Sequence, residues 1–165
     1  MKDSFHYKNP MQAPKLKKVV ISVGIGSMVK KDKTRGEFVA GRLMKITGQK
    51  PSPRSAKKSI ASFKVRAGDP VGVAVTLRGT RMHSFIDKLL NIALPRTKDF
   101  RGLERKIVDD IGNITIPVKE HTIFPEAGDE ELKDVFGMAI TIVTSAKTKP
   151  EATKFFELLG VPFKK

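Results

Sequence analysis

The sequence contains no cysteine, no tryptophan and only one tyrosine. Without cysteine the chain can form neither a disulfide framework nor a thiolate metal site, and this composition suits a reducing cytosol. No apolar run approaches the roughly 18 residues that a membrane-spanning helix needs. The polar N-terminus MKDSFHYKNP lacks the apolar segment of a secretory signal. We therefore expect a cytoplasmic protein without a membrane anchor.

Acidic residues are scarce in one part of the chain. Residues 38–68 contain none. The formal net charge is +15, but residues 1–108 carry 25 Lys and Arg against 7 Asp and Glu, whereas residues 109–165 carry 7 against 10. Such a separation of charge indicates that one part of the protein binds a polyanion. The plainer alternative is a soluble basic protein whose charge serves no partner.

No motif in the sequence indicates catalysis, a cofactor or a metal. Gly24 and Gly26 follow an apolar stretch, but Val29 occupies the third position of a G-x-G-x-x-G dinucleotide fingerprint. Asp109 and Asp110 are adjacent, so in a strand they would point to opposite faces and could not share a metal ion. The three histidines have no ligand-like spacing; they are His6, His83 and His121. We expect no enzyme, no cofactor and no metal site.

Hydrophobic periodicity predicts an α+β fold, with a mostly antiparallel sheet, helices packed on one face and the other face open to RNA. An arm (residues 1–17) should precede a single compact domain (18–165), which is basic to about residue 108 and near-neutral to acidic after it. Strands are predicted at 18–26, 61–66, 71–78, 113–118 and 138–144. Helices are predicted at 34–47, at 80–94 and from Pro150 onward, and Thr34 and Glu37 have capping-box spacing.

The strands at 61–66 and 71–78 are predicted to form a hairpin with its turn at Ala67–Pro70. Alternation places Phe63 inward with the other bulky residues and leaves small or cationic residues outward. Lys64, Arg66 and Arg78 would then neutralise phosphates. The alternative is that the small outer residues lie under a loop of the protein itself. With its aromatic residues assigned to core faces, the chain fits structured RNA better than single strands, which bind by base stacking.

Several motifs together resemble one family, the large-subunit ribosomal protein five family of bacterial type. They are VVISVGIG, ITGQKPSPRSAKKSIASFKVRAGDPVG, VTLRG, ALPRTKDFRGL, IFPE and GVPFKK. Their order and approximate spacing match over about residues 10–165. The resemblance implies an α+β ribonucleoprotein component of the central protuberance that acts in translation. It also implies binding to 5S rRNA, with further contacts to 23S rRNA, P-site tRNA and small-subunit ribosomal protein thirteen.

The resemblance also carries candidate site residues onto this sequence. The rRNA-binding candidates are Ser22, Gln49, Lys50, Thr76 and Arg78, with Arg54, Lys57, Lys58 and Lys64 around them. The implied tRNA-contacting loop is Arg66, Ala67, Gly68 and Asp69. Ser22 departs from the asparagine that the family usually has there, and the N-terminal arm is shorter than usual.

Two further interpretations follow from the residues. A basic assembly factor that binds rRNA only transiently is the main alternative to a stable ribosomal component. The acidic patch near the C-terminal third is predicted to be a solvated loop, or else a site for a basic protein partner; it comprises Glu126, Asp129, Glu130, Glu131 and Asp134.

Overall fold

The computed structural model describes residues 1–29, 34–98, 100–127 and 135–164. These residues form an α+β fold with one antiparallel sheet, as the sequence predicted. The strands lie in the order β2-β3-β1-β5-β4. They are β1 (Leu16–Gly24), β2 (Ser52–Ser55), β3 (Pro70–Leu77), β4 (Ile114–Val118) and β5 (Met138–Thr144). The helices are α1 (Lys2–Phe5), α2 (Gly26–Val29), α3 (Arg35–Thr47), α4 (Gly79–Lys88) and α5 (Lys149–Leu158).

The chain divides into two compact units, and the division falls within β1, β4 and β5. Unit 1 comprises Met1–Val20, Arg78–Ile116 and Ile140–Lys165, and unit 2 comprises Ile21–Leu77 and Pro117–Ala139. Nearly all the candidate residues belong to unit 2; only Arg78 belongs to unit 1. The predicted division into an arm and one domain stays a prediction.

In unit 2, α3 packs against β3. The helix buries Val39, Leu43 and Ile46, as its apolar spacing predicted. It ends where predicted, because Gly48 adopts the left-handed conformation with φ 66°. The predicted capping box does not form: Thr34 has helical dihedrals and makes no side-chain capping hydrogen bond.

In unit 1, α4 continues into a π-helical turn at Leu89–Ala93, and together they cover the helix predicted at 80–94. Met82, Phe85 and Ile86 are buried on the predicted apolar face. Helix α5 begins with Pro150 in its first turn and buries Phe156. These assignments confirm the helical periodicity of this part of the chain.

The strand predicted at 61–66 is wrong. The chain instead forms β2, which pairs with β3 from Ser52↔Ala74 to Ser55↔Pro70, with a register shift between Arg54 and Ser55. Residues 56–69 leave the sheet as an exposed or half-exposed hairpin extension. The alternation of residues 61–66 predicted one buried and one exposed face. Within the described part of the chain, however, no strand of the sheet lies beside this segment to bury either face.

Two further sequence predictions, on membrane-spanning helices and on the acidic patch, can be compared with the structure only over the described residues. None of the described helices is long and apolar enough to cross a membrane. Of the predicted acidic patch, Glu126 is exposed, whereas Asp129, Glu130, Glu131 and Asp134 lie outside the described residues.

Candidate nucleic-acid interface

Three of the candidate residues belong to one hydrogen-bonded corner of unit 2. Gln49 lies two residues after the end of α3, and its Nε2 donates to the main-chain oxygen of Thr76 in β3 at 3.2 Å. Thr47 Oγ1 donates to the carbonyl oxygen of Leu43 at 2.7 Å and accepts from the main-chain nitrogen of Gln49 at 3.3 Å. These bonds fix the short loop that presents Lys50, which is exposed.

The sheet surface beside this corner is formed by small residues. Ser22 and Gly24 of β1 are exposed, while Ile21 and Val23 between and beside them are buried. A Cβ on Gly24 would meet nothing within 4 Å, whereas a Cβ on Gly72 would lie 3.0 Å from the carbonyl oxygen of Val23. The first glycine therefore leaves open space on the surface, and the second permits close approach of two strands.

The cationic candidates follow this corner along the chain. Arg54 is exposed in β2, opposite Gly72. Lys57 and Lys58 are exposed just beyond the end of β2, and Lys64 is exposed with a positive φ of 49°. Between Glu37 and Asp87 the sequence holds a single acidic residue, Asp69. The segment therefore presents several cations to solvent with almost no competing carboxylate.

The hairpin extension has a hydrogen-bonded neck and a separate tip. At the neck, Ala56 N donates to the oxygen of Asp69 at 2.8 Å, and Gly68 N donates to the oxygen of Ala56 at 2.9 Å. Further out, Ile60 and Val65 exchange main-chain bonds of 2.9 and 3.2 Å. The tip is therefore residues 61–64, between the members of this last pair.

The predicted tRNA-contacting loop forms a turn, but that turn lies at the neck. Asp69 N donates to the oxygen of Arg66 at 3.1 Å, and the Asp69 carboxylate accepts from Arg66 N at 2.8 Å. Gly68 supports this turn with φ 95°. The prediction that Ala67–Pro70 closes the hairpin is therefore wrong. Ile60 and Val65 are separated by four residues, a spacing typical of short hairpin loops, and this signal was overlooked.

The hairpin tip exposes two apolar side chains. Phe63 is 67% exposed and Ile60 is 47% exposed. The assignment of Phe63 to a core face is therefore wrong, because it depended on the strand that does not form. The hairpin tip thus exposes an aromatic ring within the acid-free stretch of residues 38–68.

Arg78 is described with unit 1. It is exposed at the N-cap position of α4, in extended conformation, and makes no side-chain capping hydrogen bond. Its side chain is thus presented to solvent directly after β3 ends.

Among the described residues, no group of three or more His, Cys, Asp or Glu is arranged to hold a metal ion. What the surface offers is positive charge, amide and hydroxyl groups, and small residues that permit close approach.

Comparison with known proteins gives consistent matches along nearly the whole chain. Residues 9–66 match the profile of a family described as Ribosomal protein L5, and residues 70–163 match the profile of the C-terminus of the same ribosomal family. The chain is 52% identical to the large ribosomal subunit protein uL5 of Desulforamulus reducens over 98% of its length and 88% of the relative's. It is 49% identical to the protein of that name from Carboxydothermus hydrogenoformans, over 99% of this chain and 90% of the relative. With the Desulfotalea psychrophila protein of that name, identity is 48% over 100% and 92%.

Proposed function

The chain belongs to the ribosomal protein L5 family, whose members are structural, non-enzymatic constituents of the large ribosomal subunit, and from this premise we propose that unit 2 binds 5S rRNA in the cytoplasmic ribosome. The observation that carries the proposal is the largely exposed segment from Gln49 to Asp69. It is rich in cations, and the carboxylate of its one acidic residue accepts a hydrogen bond from Arg66 N within the segment. Folded RNA presents phosphates and 2′-hydroxyls at such a surface.

The proposed contacts fall into two chemical groups. Ser22, Gln49 and Thr76 offer hydroxyl and amide groups beside the small residues of the sheet, which permits contact with a sugar edge or a 2′-hydroxyl. The cations of unit 2 pair with phosphates, which position the RNA without reading its sequence; they are Lys50, Arg54, Lys57, Lys58 and Lys64. Arg78 of unit 1 is proposed as a further phosphate contact.

The wider assembly forms the second part of the proposal. By 5S binding the protein helps attach 5S rRNA to 23S rRNA in the central protuberance. The hairpin with Arg66, Ala67, Gly68 and Asp69 at its neck contacts P-site tRNA. A separate protein contact reaches small-subunit ribosomal protein thirteen. The family relationship supports this arrangement, and the projection of residues 56–69 from the sheet gives the hairpin the reach for a ligand of its own.

Salt dependence and charge reversal test the 5S proposal together. If about five phosphates are neutralised, the logarithm of the binding constant should fall against the logarithm of salt concentration with a slope of about −4 to −5. Lys57→Glu plus Lys58→Glu should weaken binding to isolated 5S rRNA and flatten that slope by about 2. The matched control is Lys119→Glu plus Lys147→Glu, which makes the same charge change at two exposed lysines of the near-neutral part.

The outcomes separate specific docking from general charge. Equal loss in both double variants would show that net charge alone drives binding and would overturn the assignment of the segment. A slope near zero would overturn the electrostatic proposal itself. A stable constituent should also remain on large subunits after a high-salt wash, whereas release of the protein by that wash would favour the transient assembly factor.

A further inference from the structure

The N-terminal segment of the chain, residues 1–9, bends sharply before the sheet begins. Helix α1 ends at Phe5, and His6 has a positive φ of 49°, which is uncommon for a residue other than glycine. The rings of Phe5 and Tyr7, on either side of this bend, stack with centroids 5.9 Å apart and planes at 20°. Both rings are half-buried, whereas His6 is exposed. The two aromatic side chains therefore face the protein, and the residue between them faces solvent.

One carboxylate joins this N-terminal segment to helix α5, which belongs to the same unit. The Tyr7 hydroxyl donates to Glu151 Oε1. Glu151 Oε2 accepts from the main-chain nitrogen of Lys147, just before the helix, at 2.9 Å. Because its two oxygens have separate partners, Glu151 binds the start of α5 and the N-terminal segment at the same time.

A cavity of about 490 Å³ is lined by both the N-terminal segment and α5. Ser4 and Phe5 line it from the segment, and Pro150, Thr153 and Lys154 line it from the helix. Across a cavity the two elements make few atomic contacts, so packing contributes little to holding them together there. A segment with few packed contacts opens at a low cost in free energy. A single polar bond is then enough to decide whether the segment stays in place.

We propose that residues 1–9 are a strap that closes over α5, and that the hydrogen bond from Tyr7 to Glu151 is its latch. Breaking the latch releases the strap, which opens the cavity and exposes the half-buried Thr153. Burial, the hydrogen bond to Glu151 and the negative charge of Glu151 together raise the pKa of Tyr7 to about 12, so the phenol keeps its proton at neutral pH. None of the proposed rRNA contacts lies on the strap or on α5.

Cleavage by trypsin after Lys8 measures how often the strap is open, because a protease needs the chain around the cleaved bond to be released from the fold. Tyr7→Phe keeps the ring but removes the hydroxyl. Glu151→Gln keeps an acceptor for Lys147 N but leaves only a neutral acceptor for Tyr7. Losing a hydrogen bond to a charged group shifts an equilibrium by about tenfold, so both variants should be cleaved after Lys8 about tenfold faster than wild type. Mass spectrometry separates this cut from cuts at other lysines.

A double variant distinguishes a latch from two unrelated effects. If Tyr7 and Glu151 act through one bond, Tyr7→Phe plus Glu151→Gln should be cleaved no faster than either single variant, whereas multiplied effects would overturn the proposal. Acceleration in only one single variant, or in neither, would overturn it as well. Glu104→Gln, at an exposed carboxylate of unit 1, is the matched control and should be cleaved as wild type is. Equal acceleration there would show that lost negative charge alone loosens the strap.

The emission of Tyr7 gives a second readout that needs no protease. Tyr7 is the only tyrosine, and the chain has no tryptophan. A carboxylate that accepts from the phenol quenches its emission, so Glu151→Gln should brighten Tyr7 and make it more accessible to acrylamide, while the circular dichroism spectrum stays that of wild type. Unchanged emission and acrylamide quenching would show that Tyr7 and Glu151 are not joined in solution, and the latch would be wrong.

Discussion

The side-chain amide of Gln49 donates to the main-chain oxygen of Thr76 at 3.2 Å, and so fastens the loop after α3 to β3. Both residues are candidates for contact with rRNA. One amide proton of Gln49 is engaged inside the protein, which leaves its second proton and its carbonyl oxygen to face a ligand. The bond therefore holds Gln49 and the neighbouring Lys50 in place before any RNA arrives.

Substitution of Gln49 is expected to weaken RNA binding more than folding. Gln49→Ala removes one partly buried hydrogen bond and should lower the unfolding free energy by about 1 kcal/mol. Gln49→Glu should leave the protein folded but reduce 5S affinity by about tenfold or more, because a carboxylate faces both the Thr76 oxygen and the RNA phosphates. Urea unfolding and filter binding measure the two effects. Wild-type affinity in both variants would remove Gln49 from the interface.

Two glycines on neighbouring strands should respond differently to the same substitution. Gly72→Ala places a methyl group 3.0 Å from the carbonyl oxygen of Val23, and the backbone cannot move aside cheaply. We expect a loss of about 1–3 kcal/mol in unfolding free energy. Gly24→Ala meets open space, so it should fold as wild type and reduce only RNA affinity. Thermal unfolding checks the pair, and equal melting temperatures would contradict the close approach.

Substitutions in the core and in the charged segment should likewise have different effects on folding. Val73 is buried in β3, and Val73→Asp would bury an unpaired charge. We expect this variant to lose its fold, as seen by circular dichroism, whereas Lys57→Glu plus Lys58→Glu should keep a wild-type spectrum. If the double variant unfolds as well, the lysine segment has a structural role that its exposure does not indicate.

Helices and core strands followed from the sequence because their own residues encode them. The bounds of β5 are those predicted, and the buried side chains of α4 follow its 3.6-residue period. The segment at 61–66 could not be assigned in this way. Alternation shows that a stretch has two faces, but a strand also needs a neighbour, and neighbours are set by distant parts of the chain.

In the candidate site, too, local sequence predicted some features but not those that depend on distant residues. Exposure of Lys57, Lys58 and Arg54 followed from the absence of acids and of apolar spacing around them. The bond between Gln49 and Thr76 joins residues 27 positions apart, so no local pattern indicates it. The exposure of Phe63 depends on where the hairpin turns. Because the turn was predicted at the wrong residues, Phe63 was assigned to the core, although it lies on the surface.

We expect one buried histidine to make the stability of unit 2 depend on pH. His121 is 5% exposed, and its ring stacks on Phe136 with centroids 4.1 Å apart and planes at 6°. Its Nδ1 accepts from the main-chain nitrogen of Phe136 at 3.4 Å. Burial lowers the pKa of His121 and the charge of Arg42 lowers it further, while the charge of Glu120 opposes these effects only in part. The hydrogen bond from Phe136 N also favours the neutral ring, because only an unprotonated Nδ1 can accept it.

The lowered pKa predicts that the protein loses stability as the solution becomes acidic. An unfolded histidine takes up its proton near pH 6.5, whereas the folded state resists protonation, so the unfolded state binds more protons below that pH. Between pH 7.5 and 5.5 the unfolding free energy of wild type should therefore fall, by at most about 1.4 kcal/mol per pH unit for one proton. His121→Gln, which cannot titrate, should show a flatter profile over this range. The exposed His83→Gln is the matched control and should follow wild type. Urea unfolding at each pH measures the profiles, and parallel curves for wild type and His121→Gln would show that protonation of His121 is not linked to folding.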